Sequence, residues 1–568
     1  MQKLKSLALT PLFNKLTQHS AAGVALILFI ASAFVGIWAT YDSSLSWPIL
    51  LTLLASISLF FAIASFAISP RWVVWGLVVM AGLLALYFVT QYAHLNYRDE
   101  VGPLARLGRM TGSLTPNLVF FTPHPNAVAG FLEGTFLLSL LLTARVQGSS
   151  RWLWGAITAS IAYGLLISGS RGAWLGLVIA IGIWALLSFR NQTLQLAMTG
   201  FGFIVGILGG VYAVARLASP GQHLPILSSA FETGRTRFIL YQNSLKLLKD
   251  YPFTGIGLGD TFAMVYSRYQ LLIHVPFLYY AHNLFLSVGL GQGLLGLLAL
   301  IWLLFAFYRF VIRVERTDSL DTRLLSLFRA AWLGTTVTLV HGLLDSPQFS
   351  RDFWTMPVLF ALVGLAVAMG RLVLDQTDQE EVSKTSPPQP RYSKWVIIAL
   401  AATAVGLLIA LLVFWRPLAS AWYANVGAVY QTKADSLLTP DLDDTVREAE
   451  TRRAETYFER ALSLNPAQPV ANRRLGMIAL DQHDFETAVT YLEQAYSQEP
   501  ENQATLKLLG YAYVWTDQLD LAEERFRQLN PPGTLVSELE YWQWWWGTQD
   551  REDLSAYAGE MAGRLSME

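Results

Sequence analysis

Arg171 stands in the run Ser168-Gly169-Ser170-Arg171-Gly172-Ala173-Trp174, between two strongly apolar stretches of the chain. A guanidinium stays charged at any physiological pH, so this position is costly unless an anion or water meets it. Other polar groups recur at the ends of apolar stretches: Arg235 with Arg237, His282 with Asn283, His341 with Asp345, and His124 with Asn126 and Glu133. Arginine clamps phosphate oxygens bidentately, and histidine takes a proton from a hydroxyl near neutral pH. These residue types fit glycosyl transfer from a lipid diphosphate. The arginines would neutralise the leaving diphosphate, and His282 would activate an acceptor hydroxyl.

The elements that must position them are membrane helices. The 568 residues are 53% hydrophobic and only 14% charged, with the apolar residues gathered in runs of bilayer-spanning length. The fold class is all-α, a polytopic transmembrane helical bundle. A net charge of −1 gives no footprint for nucleic acid, and the absence of cysteine excludes disulfide and thiolate chemistry. The first run, Ala21 to Ala39, follows Lys3, Lys5 and Lys15 but is too long for a signal peptide and reads as a retained span.

Eleven spans are expected, near 21–40, 47–69, 71–91, 118–143, 152–168, 173–189, 194–215, 283–308, 330–348, 354–372 and 395–415, the fourth interrupted by Pro123, Pro125 and Asn126. With the N-terminus in the cytoplasm, Arg71, Arg145, Arg151, Arg190 and the cluster from Arg309 to Arg329 fall in inner connections. The loop from Gln91 to Thr115 fits least well, with three arginines on the outer side. On this topology Arg171, Arg235, Arg237, His282, His341 and Asp345 all lie at the outer face, and the odd span count puts the C-terminal region outside. A long outer segment, 217–281, holds an amphipathic helical stretch from Phe238 to Asp250 and the glycines Gly255, Gly257 and Gly259, which suit a tight turn.

Residues 376–394 read as a linker before the last span, 395–415. Beyond it the chain is charged and repeats every 34 residues: Ala454, Ala488 and Ala522; Pro466 and Pro500; Leu475-Gly476 and Leu509-Gly510. Small residues at helix contacts with proline at the turn make 416–568 a tetratricopeptide-repeat domain, an α-solenoid whose surface suits a protein partner or an acceptor chain.

Each of these residues also admits a purely structural role. Arg171 can be an interface arginine that snorkels, and Arg235 and Arg237 can bind lipid headgroups. His341 and Asp345 can pair with each other inside the bundle, while His124 and Glu133 can serve packing and the helix break. Asp441, Asp443, Asp517 and Asp520 suit solvated turns better than a metal site. The cluster Tyr541-Trp542-Gln543-Trp544-Trp545-Trp546 can stack on sugars, seal the repeat array or touch the membrane interface.

The motifs together resemble the O-antigen ligase and polymerase superfamily of bacterial membrane glycosyltransferases. The resemblance covers roughly residues 20–375 and runs through the Arg171 motif, Arg237-x-x-x-Tyr241, Asp250-Tyr251-Pro252, the glycines to Gly259, His282-Asn283-x-x-Leu286 and His341-x-x-x-Asp345. Tyr241 departs from it, since the family carries tryptophan there. The resemblance implies a polyprenyl-diphosphate glycan donor, inverting transfer without metal or other cofactor, Arg171 and Arg237 on the diphosphate (with Arg235 beside them), and His282 as base. His341, Asp345 and Asn283 would support them. The acceptor would be a glycan, lipid or protein hydroxyl at the outer face of the cytoplasmic membrane. The rival is a non-catalytic scaffold or transporter for polysaccharide export; a transporter would show symmetric halves with spans broken at mid-membrane, and the sequence shows no such pairing.

Overall fold

Uninterrupted apolar runs make the long helices, and proline or polar clusters end them. The computed structural model describes residues 21–95, 97, 103–188, 225–273, 276–317, 321–345, 348–349, 352–382, 394–436, 444–529 and 534–566, and within them all regular structure is helical. The membrane part comprises α1 (Ala21–Ala39), α2 (Ser43–Ala64), α3 (Pro70–Gln91), α4 (Pro103–Gly112), α5 (Pro125–Arg145), α6 (Ser150–Ile167) and α7 (Arg171–Ser188). It continues with α8 (Pro225–Asp250), the short α9 (Phe262–Tyr266), α10 (Leu284–Glu315), α11 (Thr322–His341) and α12 (Met356–Val382). The long α13 (Lys394–Ser436) leads into α14 (Asp444–Leu464), α15 (Pro469–Asp481), α16 (Phe485–Gln498), α17 (Gln503–Trp515), α18 (Leu519–Phe526), α19 (Leu535–Thr548) and α20 (Glu552–Ser566).

Among the described residues seven helices are long and apolar enough to cross a membrane: α1, α2, α3, α5, α10, α11 and the stretch Phe353–Gln376 containing most of α12. Of the eleven expected spans, 152–168 and 173–189 correspond to the shorter α6 and α7, and 395–415 falls within α13. The expected span 194–215 lies outside the described residues. The fourth span starts at Pro125 rather than at 118. The preceding segment is extended and lies along α3, where Tyr87 Oη accepts from the Phe120 and Phe121 amides and Gln91 Oε1 accepts from Leu118 N at 2.7 Å. Side chains of α3 thus supply the partners that non-helical backbone needs at this depth. Arg106 and Arg109, two of the three arginines expected on the outer side, sit on the short α4, and Arg98 lies outside the described residues.

Helix α11 is the centre of the bundle and packs against α5, α7 and α12. Glycines set two of these crossings. A side chain at Gly334 would strike the backbone of Gly134 on α5, and one at Gly176 would lie 2.8 Å from the Val337 carbonyl oxygen. A side chain at Gly172, one turn before Gly176, would enter the His341 ring. This small-residue seam brings α7 against α11.

Outside the bundle, α8 ends at Asp250 and the chain turns through Gly255, Gly257 and Gly259, all with positive φ. This turn fills a break in α10, where Gly293 has φ 72° and ψ −176°. Ile256 N donates to Leu290 O at 2.6 Å and Leu294 N donates to Pro252 O at 2.7 Å, so the loop satisfies backbone groups freed by the break. At Gly255 a side chain would collide with the α10 backbone, 2.8 Å from Gln292 N, so both its φ and its contact require glycine.

The final turns of α13 pair with α14 as the first of four helical hairpins, followed by α15/α16, α17/α18 and α19/α20. Helix α13 is unbroken across residue 415, so the expected last span and the first repeat helix are one element. Ala454, Ala488 and Ala522 are fully buried on the second helices, and Gly427, Gly476 and Gly510 accept the side chains of Phe458, Leu492 and Phe526. Trp542, Trp545 and Trp546 pack with Trp515 and His483 to close the last hairpin, whereas Tyr541 and Trp544 remain exposed. Asp520 pairs with Arg564 at 2.7 Å, and Asp441 and Asp443 lie outside the described residues.

Candidate active site

Helices α5, α7 and α10 begin, and α11 ends, at one end of the bundle. The three helix N-termini bring partial positive charge to that end. Asp345, in the turn after α11, is 2% exposed and joins three elements there. Its Oδ1 lies 3.1 Å from His282 Nδ1, its Oδ2 lies 3.4 Å from Arg237 Nη2 on α8, and Asn126 Nδ2 at the start of α5 donates to Oδ2. Burial raises the pKa of this carboxyl, but the hydrogen bond and charge of His282, with the charge of Arg237, outweigh it and hold Asp345 well below the usual carboxylate range.

His282 has φ 49°, a left-handed conformation uncommon for a residue with a side chain. Three contacts hold it there. Tyr241 Oη donates to the His282 carbonyl at 2.8 Å, the Tyr280 ring lies 4.1 Å from the imidazole, and Asp345 takes Nδ1. Burial, then the nearby Asp345 charge, raises the Tyr280 hydroxyl pKa, so it stays protonated. The same hydroxyl lies 3.1 Å from the Leu343 carbonyl oxygen and 3.4 Å from that of Leu344, which places α8 against the turn that bears Asp345. Its hydroxyl is what this position uses. Asn283 caps α10 through Leu286 N at 3.0 Å and donates to Leu343 O at 2.9 Å, so it supports the turn. With Nδ1 on Asp345, the other imidazole nitrogen of the partly exposed His282 is the one free to receive a proton.

His341 and Asp345 do not pair with each other, contrary to the alternative their spacing allows. Helix α11 ends at His341, and the following turn carries Asp345 toward His282. His341 instead bonds Glu133 Oε2 through Nδ1 at 2.9 Å and Ser170 Oγ through Nε2 at 3.1 Å. Glu133, His341 and Ser170 are all buried, and the chain they form ends beside Arg171. Glu133 is therefore more than packing. The signal was its carboxylate two turns inside an apolar helix, which needs a partner.

Arg171 is the first residue of α7, exposed, and without a hydrogen-bond or ion-pair partner among the described residues. Ser170 and Gly172 on either side are fixed by His341. Arg235 is also exposed at its position on α8 and makes no such contact among the described residues. His124 caps α5 through Asn126 N at 3.2 Å, a structural role. Among the described residues no three His, Asp or Glu side chains are grouped as metal ligands.

The fit of α7 on His341 gives a first prediction. Gly172→Val should lower the melting temperature, consistent with about 1–3 kcal/mol of overpacking, and displace Arg171. Gly182→Val, on the same helix with nothing within 4 Å, should change neither the melting temperature nor any activity of the site. Equal melting curves for both variants and wild type would contradict the packing.

Residues 156–301 match the family described as O-Antigen ligase, a stretch that contains Arg171, Arg235, Arg237, His282 and Asn283. Residues 479–534 match a tetratricopeptide repeat. The chain is also similar to a protein of Acinetobacter baylyi named General O-oligosaccharyltransferase, 28% identical over 285 residues, covering 48% of this chain and 46% of the relative. The chain thus spans about half the length of the curated relative it matches. The chain is a multi-pass membrane protein that carries an O-antigen ligase domain followed by tetratricopeptide repeats.

Proposed function

We propose that the chain transfers a glycan from a polyprenyl diphosphate to an acceptor hydroxyl at the outer face of the cytoplasmic membrane. The observation that carries this reading is the meeting of His282, Arg237 and Asn126 on one buried carboxylate, with Arg171, unpaired among the described residues, following the Ser170 that His341 holds. The name of the curated relative fits an oligosaccharide as the group moved and oxygen as the accepting atom. A glycan, lipid or protein hydroxyl would all serve.

In this mechanism Arg171 and Arg237 hold the diphosphate oxygens, with Arg235 able to reach a headgroup from the same helix. The acceptor oxygen attacks the anomeric carbon from the side opposite the diphosphate and inverts it. Its proton passes to the free nitrogen of His282, and Asp345 stabilises the imidazolium that forms. As the glycosidic bond to the donor breaks, charge builds on the leaving diphosphate, where the two guanidinium groups and the helix N-termini oppose it. A lipid diphosphate is already a good leaving group, so no metal is required in this scheme.

The test is transfer by the purified protein from a polyprenyl-diphosphate glycan to a hydroxyl acceptor, with and without EDTA. Product should form at the same rate in both. Strict dependence on a divalent ion would contradict the mechanism. Clustering of the charged groups at one bundle end, rather than at paired mid-membrane breaks, favours this reading over a transporter.

A further inference from the structure

The first helices of the first three hairpins, α13, α15 and α17, present a common face, and in this chain that face is occupied. Residues from Asp250 to Leu272, between α8 and the approach to His282, lie along α13, α15 and α17. Asp250 is 2% exposed and receives Arg473 and Arg474, themselves 2% and 1% exposed, with Arg474 Nη2 at 2.9 Å. Arg474 also stacks over the Tyr269 ring at 3.5 Å and donates to Tyr251 Oη at 3.2 Å. On α13, Asn425 Oδ1 accepts from the amides of Phe253 and Thr254, and Thr432 bonds Tyr251 Oη at 2.6 Å. Arg268 pairs with Asp435 at 3.2 Å and Asp481 at 2.8 Å. On α17, Lys507 Nζ reaches the Leu271 and Leu272 carbonyls. The turn after α16 closes the rim, with Glu499 facing Lys249 at 3.8 Å.

These are recognition contacts, made of buried charge pairs, an arginine on an aromatic face and captured main-chain groups. One apolar cluster runs continuously from Leu240, Leu247 and Tyr251 through Tyr266 and Tyr269 into the repeats. We propose that the inner face of the repeat array is an internal clamp whose ligand is residues Asp250–Leu272 of the same chain, and that the clamp is required for transfer. Asp250 ends the helix that carries Arg237 and Tyr241, and the next residues enter the α10 break that leads back to His282. The clamp therefore fixes the position of Arg237 relative to His282. From Arg237 to Asp250 is about 20 Å of helix, so a small tilt at the clamped end moves the guanidinium by ångströms.

This inference rests on the transferase reading, and its test separates the two. The full-length protein is studied in nanodiscs, with cleavage inside 250–272 by an added protease as a readout independent of activity. Arg474→Leu should accelerate that cleavage and lower transfer by on the order of a hundredfold. In a Lys249→Cys/Glu499→Cys protein, which loses rim contacts of the clamp, joining the two cysteines with a bis-maleimide should slow cleavage inside 250–272 and raise transfer above that of the unjoined protein, because the clamp stays shut during turnover. Added to Arg474→Leu, the same cross-link should restore transfer. Inactivation by the cross-link in the otherwise wild-type protein would overturn the proposal. So would a cleavable loop in Arg474→Leu with full transfer. If wild type shows no transfer at all, the transferase reading fails. Clamp binding is then judged by cleavage alone, and equal cleavage of wild type and Arg474→Leu would overturn it.

Discussion

His282→Ala is expected to lower glycan transfer by about a hundredfold to ten-thousandfold, the range that a positioned general base contributes. The loss should fall on the chemical step. Donor binding should persist, because Arg237 remains held by Asp345 and Arg171 does not depend on the imidazole. Single-turnover transfer with pre-bound donor reads the difference directly: a normal amount of bound lipid diphosphate, consumed slowly. His282→Gln should behave alike, because an amide is no base. If His282→Ala loses donor binding in proportion to activity, His282 is a binding residue and the base lies elsewhere. Thermal unfolding is a needed companion, since removing the ring also removes the contact with Tyr280, while alanine keeps the Cβ that makes a left-handed position costly.

Asp345→Asn should cost transfer about a hundredfold or more, because it removes the charge that orients and stabilises the imidazolium. It preserves volume in a buried site while withdrawing the counter-charge from both His282 and Arg237. The defect should therefore appear in both the chemical step and donor affinity, unlike that of His282→Ala. Because the Asp345 pKa is depressed, its stabilising contribution is fully present above the ordinary value of about 3.9 and is lost only as pH falls through the lowered one. Any acid limb of the transfer rate between about pH 5 and 8 thus belongs to another group. Wild-type transfer by Asp345→Asn would remove Asp345 from the account.

The end of the bundle where these residues meet was legible in the sequence. Apolar runs and loop arginines fix the alternation of the helices, and alternation alone assigns Arg171, Arg237, His282 and Asp345 to one side. Partners were less legible. Asp345 lies four positions after His341, which on a continuing helix makes them neighbours; α11 ends between them, and each finds a different partner. Asn126 and Glu133 gave no sign of those partners because both lie far away in sequence, on α11 and its turn. The 34-residue period predicted the repeat hairpins, and their alanines and glycines occupy the helix contacts as that pattern requires. It did not predict that the hairpins grip their own chain. Arg473 and Arg474, adjacent charges on the helix of the Leu475-Gly476 motif, were the available clue, since two arginines buried in such a helix need an acidic partner.

If arginines hold the lipid diphosphate while His282 moves the proton, Arg171→Ala and His282→Ala must fail in different ways. Donor affinity and single-turnover transfer are measured for purified wild type, Arg171→Ala and His282→Ala with the same polyprenyl-diphosphate glycan. Arg171→Ala should bind the donor weakly and transfer slowly, whereas His282→Ala should bind it normally and scarcely transfer. Wild-type binding and transfer by Arg171→Ala would contradict the account.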